Sequence, residues 1–408
     1  MKEIYVNDPL YQRIKIPEYL VPILDTAKVQ RLRSIKQTGL AYLVYPSAIH
    51  TRFEHSLGTC FLANMMCEEL GLPEREKQLV VLAALLHDVG HVPFGHVAEK
   101  YRLFDVRKTG ELCLREILQD LGDLLRRIGL KAEEVFSLIV GNHKNEVLNQ
   151  IIEGPLSADR LDCMLRDSYY TNLPFRISPL TVYNIISGFT VVKEGHRRFI
   201  CVEEDIIPNI EALLVARQML FRYVYESKWT RSAHRMLGRA LGEALTSSVV
   251  KLDIICSIGD DKLLELLSKT PKAEIRRLAT WLITRRFYKT ILELDFGKVD
   301  ILTRVRLAAM DSITWIDFEN RIARLLHMKE GEILIDLPRL PDASDADLGR
   351  VLVVGPKGIY SLQEQSELAN MVTRRLSSLY LVVFGANKKK AYDIELICDL
   401  FSKPPYKY

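Results

Sequence analysis

Several features that would restrict the class of this protein are absent from its 408-residue sequence. No run of about 18 uncharged apolar residues is present, so we expect no transmembrane span and no membrane partner. Residues 1–4 lack the apolar run of a signal peptide. The seven cysteines are dispersed without CxxC spacing, which favours reduced thiols and a cytoplasmic location over a disulfide framework. The sequence also has no internal repeat and no low-complexity segment.

The overall charge is small as well. A formal net charge of +4 does not demand nucleic acid as a partner, but it permits a locally basic pocket for an anionic substrate. Apolar residues make up 48% of the chain and charged residues 26%, which is ordinary for a soluble globular protein. A chain of this length is expected to form two or three lobes.

The periodicity of apolar residues predicts a mainly α-helical fold. Helical repeats cover most of residues 17–167 and return over 206–245 and 260–328. Residues 188–203 have the pattern of a small β-hairpin with a glycine turn. Short strands are predicted near 332–336, 350–355 and 379–385, around a helix at 363–376. We therefore predict one helical region over 1–328, which includes the hairpin, and a small C-terminal α+β lobe over 329–408.

Two histidines and two aspartates are the most informative residues. His87 and Asp88 are adjacent at the end of an apolar helix, with His55 in a second helix upstream and Asp159 downstream. Such a set of nitrogen and oxygen donors suits divalent metals from manganese and iron to zinc, and leaves positions open for water and substrate. A lone histidine on a helix is usually structural. A buried carboxylate, however, is costly unless it is paired or bound to a metal. The pattern therefore favours metal-assisted hydrolysis.

The segments around these residues match a known family. They are residues 7–9 (NDP), Asp25 with 30–33 (QRLR), 36–37 (KQ), 45–46 (YP), 52–58 (RFEHSLG), 87–96 (HDVGHVPFGH) and 158–167 (ADRLDCMLRD). This ordered series resembles the HD-domain phosphohydrolases, specifically the branch that contains the deoxynucleoside triphosphate triphosphohydrolases. The match is dense over residues 4–175, continues more loosely through Arg217, Tyr225 and Lys228, and is faint afterwards.

The resemblance implies an HD-domain helical core and assigns roles to individual residues. The metal ligands would be His55, His87, Asp88 and Asp159, holding a divalent ion of manganese, magnesium, iron, zinc or nickel. The catalytic residues would be His91, His96 and Glu111, with His96 a candidate acid for the leaving 5′-oxygen. The substrate residues would be Gln37 and Asp167 at the sugar 3′-hydroxyl, Arg52 at the phosphates, Arg160, Arg217 and Lys228 at the β- and γ-phosphates, and Tyr225 near the sugar.

Ordinary structural interpretations of some of these residues remain open. Arg160 could cap its helix or pair with a neighbouring aspartate, and Asp167 could be the partner of an arginine. Tyr225 could be a core aromatic residue, while Arg217 and Lys228 rest on spacing alone.

The sequence departs from the family pattern at two positions. Active members carry a His-Glu pair on the helix after the HD segment, but here Gly110 stands before Glu111. The missing histidine belongs to an acid-base network, and such help is typically worth about 10²–10⁴-fold in rate. Cys163 stands where the family often has a tyrosine against the sugar, so discrimination between deoxyribose and ribose could be relaxed.

The resemblance further implies a second nucleotide site. Asp25 and Arg33 look like the family's positions for a guanine nucleotide activator, with Asn7 and Val44 near by. In the family this site lies between subunits, so we expect a homo-oligomer, either a dimer or a tetramer. A carboxylate accepts hydrogen bonds from guanine N–H groups, and an arginine reaches its O6 or a phosphate. The alternative is a local ion pair between Asp25 and Arg33, worth only about 0–1 kcal/mol if exposed.

The sequence thus predicts a metal-dependent phosphohydrolase that converts deoxynucleoside triphosphates to deoxynucleoside and triphosphate. Two alternatives stay open. One is hydrolysis of another nucleotide phosphoester, such as a nucleoside monophosphate or a cyclic nucleotide. The other is a nucleotide-binding regulator with weakened catalysis, which Gly110 would permit.

Overall fold

A computed structural model describes residues 4–338, 350–356, 358–375, 380–386 and 401, without the side chains of 372–375. The α-helices are α1 (Val21–Leu24), α2 (Ala27–Gln30), α3 (Arg52–Glu69), α4 (Glu74–Leu86), α5 (Gly95–Lys100), α6 (Val106–Asp120), α7 (Gly122–Arg127), α8 (Ala132–Ile139), α9 (Glu146–Glu153), α10 (Ala158–Thr171), α11 (Pro179–Ser187), α12 (Ile207–Met219), α13 (Lys228–Thr246), α14 (Leu252–Ser257), α15 (Asp260–Ser268), α16 (Ala273–Ile283), α17 (Ile301–Ala309), α18 (Ser312–Leu325), α19 (Leu362–Gln365) and α20 (Glu367–Arg375). The strands are β1 (Ile4–Asp8), β2 (Gln12–Ile16), β3 (Phe189–Glu194), β4 (Arg197–Glu203), β5 (Lys289–Asp295), β6 (Ile333–Asp336), β7 (Leu352–Gly355), β8 (Gly358–Ser361) and β9 (Tyr380–Gly385).

Helix α4 forms the centre of the helical core. Its residues 79–86 are all buried, so this helix is apolar on every side and is surrounded by other helices. Helix α3 packs along it, and its first turn is capped by Glu54, whose carboxylate accepts the Thr51 backbone N–H at 2.6 Å. His87 follows the last residue of α4 directly, so the HD segment is held at the end of a buried helix.

A glycine brings α3 and α10 close together. A Cβ atom at Gly58 would lie 1.9 Å from Oδ1 of Asp162 and 2.5 Å from Nη2 of Arg166. Any larger residue would therefore displace this buried ion pair. The close approach places His55 on α3 beside the carboxylates of α10.

The strands form three small sheets in the described part of the chain. β1 and β2 form an N-terminal hairpin, and β5, β9 and β6 form an antiparallel sheet in that order. The predicted hairpin near 188–203 is confirmed as β3–β4, and β4 continues in parallel to β7 and then β8. The mainly α-helical fold is confirmed, with small sheets attached to the helical core.

Three strands were not predicted from the sequence. The helical prediction for 260–328 is wrong over β5, where Thr290 and Ile291 supply β-branched residues and the strand pairs with β9. The N-terminal hairpin was not predicted at all. The boundary at residue 328 stays a prediction. Strands beyond it do not form a sheet of their own, because β6 and β9 pair in one sheet with β5 and β7 pairs with β4.

Buried ion pairs attach the C-terminal strands to the helices. Glu319 on α18 is fully buried and bonds to Arg235 at 2.7 Å and to Arg239 at 3.1 Å, both on α13. Asp336 at the end of β6 bonds to Lys100 at 3.2 Å and to the Tyr101 hydroxyl at 2.8 Å. Because a buried charge is costly when its partner is lost, these contacts fix α5 and α13 relative to β6. In the described residues, no helix combines the length and apolar character needed to cross a membrane.

Candidate metal centre and active-site cavity

Three helices bring two imidazoles and a carboxylate together. His55 lies in the first turns of α3, His87 follows α4, and Asp159 lies in the first turn of α10. The Nε2 atoms of His55 and His87 are 3.2 Å apart, and Oδ1 of Asp159 lies 2.9 Å from the first and 3.7 Å from the second. One possible ligand atom from each of the three residues lies within 4.8 Å of the other two, so the group could hold a metal ion.

Asp88 faces the same group of imidazoles. Its carboxylate lies 3.6 Å from Nε2 of His87 and 4.0 Å from Nε2 of His55. One of its oxygens accepts a hydrogen bond from Arg52 at 2.7 Å. Burial raises the pKa of Asp88, but the charges of Arg52 and the imidazoles outweigh it and hold this pKa well below its usual range. Asp88 is thus an ionised carboxylate at the edge of the cluster.

Hydrogen bonds to the far side of each imidazole determine which nitrogen faces the cluster. Nδ1 of His87 lies 2.7 Å from the carbonyl oxygen of Ala84, and a carbonyl can only accept. Nδ1 of His55 lies 2.8 Å from the Asp162 carboxylate. Burial raises the pKa of Asp162, but Arg166 and His55 outweigh this and lower it to about 2, so the carboxylate is ionised. In the neutral form of each ring, which is the form that binds a metal, the proton therefore lies on Nδ1 and the Nε2 lone pair faces Asp159.

This donor set fits a divalent cation. Two Nε2 lone pairs and a carboxylate oxygen at such distances repel one another unless a positive charge lies between them. Burial lowers the pKa of His55, but its hydrogen bonds to Asp159 and Asp162 outweigh this and raise the pKa to about 10. A site that attracts a proton so strongly also attracts a metal cation, which competes with protons for the same ligand atoms.

A buried network holds His55 from behind. Asp162 accepts hydrogen bonds from Arg166 at 2.9 Å and from the Tyr11 hydroxyl at 2.7 Å, in addition to the imidazole of His55. Arg166 continues to Asp8 of the N-terminal hairpin, also at 2.9 Å. Carboxylates that orient a histidine ligand in this way fix its tautomer and increase its basicity. The network therefore connects β1 to the candidate metal site.

The cluster opens into a cavity of about 620 Å³. This volume is in the range of small-molecule binding sites. Its walls carry the cationic side chains of Lys36, Arg52, Lys100, Arg102, Arg160 and Arg217. A basic wall beside a metal-binding cluster suits an anionic ligand such as a nucleotide phosphate.

A second set of polar residues lines the cavity beyond the cationic side chains. The Asp167 carboxylate contacts the buried imidazole of His50 at 2.7 Å and accepts a short hydrogen bond from the Tyr225 hydroxyl. Gln37 lies across from them, with Nε2 at 3.7 Å from the Cys163 sulfur. The structure thus brings Gln37, Asp167 and Tyr225 together, as the resemblance implies. Tyr225 ends a π-helical turn, Leu220–Tyr225, which also turns Phe221 toward the cavity.

The two further histidines lie at the cluster but in different settings. Nε2 of His91 is 3.2 Å from Asp88, and burial together with the charge of Arg52 lowers the pKa of His91 to about 3. Nε2 of His96 lies 3.0 Å from Nη2 of Arg52. Because a guanidinium can only donate, this Nε2 accepts and the proton of a neutral His96 resides on Nδ1.

Two predicted residues are brought neither to the cluster nor to the cavity. Glu111 is paired with Arg107 at 3.3 Å on the exposed side of α6. Lys228 is 62% exposed and bonds to Glu293 of β5 at 2.6 Å. The predicted roles of Glu111 in catalysis and of Lys228 in phosphate binding therefore have no support from these contacts, since each charge is already satisfied at the surface.

Gly110 lies against the HD segment. A Cβ atom at Gly90 would lie 2.5 Å from the carbonyl oxygen of Gly110, so α6 approaches the HD turn at backbone distance. A Cβ atom at Gly110 itself would meet only the Gly90 oxygen, at an ordinary 3.7 Å. The backbone therefore accepts a side chain at position 110.

The four candidate effector residues lie at the surface on the N-terminal side. Asn7 and Asp25 are exposed, and Val44 is half-buried. Arg33 donates to Gln30 at 2.7 Å and stacks on the ring of Phe53. Arg33 thus has other partners than Asp25, so the local ion pair considered as an alternative is not formed among the described side chains.

Several residues that build the site were missed by sequence reasoning. Asp162 lies one helical turn after Asp159, and this spacing was a usable signal because residues three apart share a helix face. The contact of His50 with Asp167 joins positions 117 apart in sequence, so no local pattern could have indicated it. Lys100 and Arg102 reach the cavity only because α5 runs along its wall.

Two family models match this chain. One, described as HD domain, covers residues 52–168, and the other, described as HD associated region, covers 191–393. The chain belongs to the HD-domain phosphohydrolases. The resemblance inferred from the sequence is thereby confirmed, and the HD-domain match includes all four predicted metal ligands.

Some relatives of this HD-domain chain are named for an enzymatic activity, and others are named as uncharacterized proteins. It is 29% identical over 393 residues to the uncharacterized protein MJ1154 of Methanocaldococcus jannaschii, covering 95% of this chain and 80% of that protein. It is 30% identical over 260 residues to the deoxynucleoside triphosphate triphosphohydrolase SAMHD1 homolog of Dictyostelium discoideum, covering 59% of this chain and 49% of that protein. The chain thus spans most of the first relative but only about half of the second.

Solved structures share the fold. A phosphohydrolase from Bacteroides thetaiotaomicron superposes with a TM-score of 0.73 at 23% identity, covering 94% of this chain and 100% of that chain. A hypothetical protein from Aquifex aeolicus gives a TM-score of 0.71 at 24% identity, covering 94% and 97%. The HD-domain core and the associated region therefore occur together as one recurring architecture.

We predict that Asp162→Asn weakens metal binding by about 10–100-fold, because it removes the charge that holds His55 in the ligating tautomer. Loss of one member of the buried ion pair with Arg166 should also cost about 3–5 kcal/mol of stability. Isothermal titration with manganese and urea unfolding measure the two effects.

Tyr11→Phe is the matched control. It removes one hydrogen bond to Asp162 but leaves the carboxylate, so stability should fall by about 1 kcal/mol while metal affinity is retained. Equal metal affinity in Asp162→Asn and the wild type would show that the Asp162 carboxylate does not tune His55.

Proposed function

We propose that this phosphohydrolase acts on deoxynucleoside triphosphates, attacking the α-phosphorus and releasing deoxynucleoside and triphosphate. The observation that carries the proposal is the convergence of His55, His87 and Asp159 at one end of a cavity whose wall is basic. Relatives named as deoxynucleoside triphosphate triphosphohydrolases support it. The remaining argument concerns what each part of the cavity does for such a substrate.

The metal site is proposed to consist of His55, His87, Asp88 and Asp159. A divalent ion bound by these residues supplies Lewis acidity toward the phosphoryl oxygens and makes water a better nucleophile near neutral pH. Hydrogen bonds donated by their Nδ1–H groups to Ala84 and Asp162 keep the two imidazoles in the required tautomer. The identity of the metal among manganese, magnesium, iron, zinc and nickel is not specified by this donor set.

Cationic side chains of the cavity bind the phosphates. Arg52 has two fixed contacts, one to Asp88 and one to His96, so its guanidinium is held beside the metal ligands. Arg160 and Arg217 line the same cavity and suit the more distant phosphates. Arginine is well adapted to this task because its planar donors match phosphate oxygens.

His96 is the proposed acid for the leaving 5′-oxygen. Its Nε2 accepts from Arg52, so the ring nitrogen that holds the transferable proton is Nδ1. His91 bonds to Asp88 and is held neutral, so its assigned role is to position that carboxylate and the α-phosphate. Glu111 is not assigned a step, because it lies in a surface ion pair.

The sugar is proposed to bind between Gln37 and Asp167. Gln37 is buried, and its Oε1 has no hydrogen-bond partner among the described residues, so it can accept from a sugar hydroxyl. Asp167 is held rigidly by His50 and Tyr225, which leaves its remaining lone pairs for the 3′-hydroxyl. Cys163 makes this part of the cavity wider than a tyrosine would.

The position of Lys228 favours a second candidate function. With this lysine bound to Glu293, one cation expected at the far phosphates is missing. A substrate with a shorter phosphate chain, such as a nucleoside monophosphate, would not need it. The absence of a histidine at Gly110 also keeps open a nucleotide-binding regulator with weakened catalysis.

The reaction products distinguish these possibilities. With manganese or magnesium, we predict that dNTPs yield deoxynucleoside and intact triphosphate, and that Asp88→Ala abolishes this activity and the bound metal while helical content is unchanged. Anion-exchange chromatography, metal analysis and circular dichroism provide the readouts. Inorganic phosphate from monophosphates, with dNTPs untouched, would move the assignment to the second candidate function.

We further predict that Gly110→His increases turnover, because the position accepts a Cβ atom without a clash and lies against the HD turn at Gly90. Restored acid-base help would raise kcat by about 10-fold or more, within the range that such groups provide. The kcat of the variant for dNTPs is compared with that of Gly110→Ala, which adds only the Cβ atom. Equal or lower kcat in a folded Gly110→His variant would mean that the site works without this histidine.

An effector site for a guanine nucleotide is proposed at Asn7, Asp25, Arg33 and Val44, between subunits of a homo-oligomer. It is supported by the exposure of Asp25 and by the failure of Arg33 to pair with it. The buried connection from Asp8 through Arg166 and Asp162 to His55 links the adjacent hairpin to the metal ligands. By linkage, the nucleotide and the oligomer must favour one another.

Guanine nucleotides should therefore increase dATP hydrolysis and oligomer size together. Arg33→Ala should remove both effects, and Arg107→Ala, on the exposed side of α6, serves as the control variant. Activity assays and sedimentation with and without GTP measure them. If GTP alters neither in the wild type, the effector site should be abandoned.

A further inference from the structure

One buried imidazole in the cavity has no role in the reaction described above. His234 lies on α13 and lines the same cavity as Arg52, Asp159 and Gln37. Its Nε2 is fully buried and has no hydrogen-bond partner among the residues that the structure describes. Buried polar groups are rarely left unsatisfied, so an imidazole nitrogen without a protein partner beside a cavity is suited to bond a molecule bound there.

His234 lies beside the segment that contributes Gln37 to the proposed sugar site. A Cβ atom built on Gly39 would lie 3.4 Å from Nε2 of His234 and 3.8 Å from the ring of Phe94. Gly39 follows Gln37 by two residues, so the imidazole lies next to the segment that contacts the sugar. Phe94, Leu220 and Phe221 supply apolar surface in the same cavity.

Two other polar groups near this region are also available to a ligand. Oε1 of Gln37 is buried without a partner. The Glu226 carboxylate, next to Tyr225, is 26% exposed and has its nearest cations at 3.5 Å and 3.8 Å, in Arg231 and Lys100. The region thus combines apolar walls with a few donors and acceptors, which is the usual composition of a site for a planar heterocycle.

We propose that His234 is a specificity-determining residue that hydrogen-bonds the edge of the substrate's nucleobase, in a compartment bordered by Gly39, Phe94 and Glu226. The inference rests on the proposed nucleotide substrate. In such a ligand the base is attached to the sugar on the side away from the 5′-phosphates. The arrangement agrees with this, since Arg52 contacts Asp88 and His96 at the cluster. His234 instead lies next to Gly39, and its charged neighbours are Lys100 and Asp336.

The charge state of the ring agrees with reading a neutral base. Burial and the nearby charge of Lys100 lower the pKa of His234 to about 4. At neutral pH the ring therefore offers one donor and one acceptor, and it does not act as a cation for phosphate. In the described part of the chain, His234 is also outside the group of residues that could hold a metal.

The test compares variants of His234 on four substrates. His234→Leu keeps volume but removes both nitrogens, while His234→Gln and His234→Asn each retain a polar atom near one of the two ring positions. The control is His196→Leu in the exposed β3–β4 turn. The measurements are kcat/KM for each dNTP in competition and inhibition by inorganic tripolyphosphate, with circular dichroism to verify folding.

We expect His234→Leu to lower kcat/KM for the preferred base by about 10-fold or more and to change the order of preference, because a lost hydrogen bond to a substrate edge penalises only bases that used it. Inhibition by tripolyphosphate should stay within about 2-fold, and one of the two amide variants should restore the preference. An equal fall for all four dNTPs, or a parallel loss of tripolyphosphate inhibition, would overturn the inference and indicate a structural role.

Failure of the proposed function is separable from failure of this inference. If the wild type hydrolyses no dNTP, equilibrium dialysis of the four dNTPs and tripolyphosphate against the same variants replaces the kinetic assay. Base-dependent weakening in His234→Leu then still supports the inference. Binding that is indifferent to the base in both proteins would overturn it.

Discussion

The carboxylate of Asp162 is the constraint on which the candidate site depends. It accepts hydrogen bonds from His55, Arg166 and Tyr11 in a fully buried position, so three separate elements of the chain meet at one anion. A buried anion is tolerated only when such donors surround it. Its charge in turn keeps a proton on Nδ1 of His55 and turns the Nε2 lone pair toward Asp159. The geometry of the metal cluster thus follows from an ion pair that itself touches no substrate.

The cavity is a joint product of the HD domain and the associated region. The HD domain supplies the cluster and helix α5. Tyr225, Glu226 and His234 come from the associated region that follows it. Asp336 at the end of β6 fixes α5 through Lys100 and Tyr101 and fixes α13 through Arg231. The small sheets therefore matter to function because they set the distance between the two walls of the cavity.

The parts of this protein that could be predicted from its sequence are those encoded locally. The amphipathic helices, the β3–β4 turn and the HD segment each have a short-range pattern, and the family resemblance identified the cluster residues. Contacts over long separations could not be predicted, as with Asp167 and His50 or Arg166 and Asp8. β5 was misassigned because its pairing with β9, and not its own periodicity, determines its conformation. Glu111 and Lys228 followed a family position, but local ion pairs had already satisfied their charges.

The distribution of charge along the cavity gives a ligand one preferred direction. At the cluster end, Arg52 and Arg160 accompany carboxylates that are bound to imidazoles or to Arg52 itself, so the net effect favours an anion with a metal. Farther along the cavity, the Asp167 carboxylate contacts His50 and Tyr225, and the Glu226 carboxylate is paired with Arg231 and Lys100. The imidazole of His234 is kept neutral there by burial and by the charge of Lys100. A nucleotide that entered with its base toward the cluster would place anionic oxygens against these carboxylates. For the proposed nucleotide substrate, the distribution of charge would add to hydrogen bonding in favouring one orientation, and the cationic residues of the cavity give a protein of net charge +4 a local site for an anion.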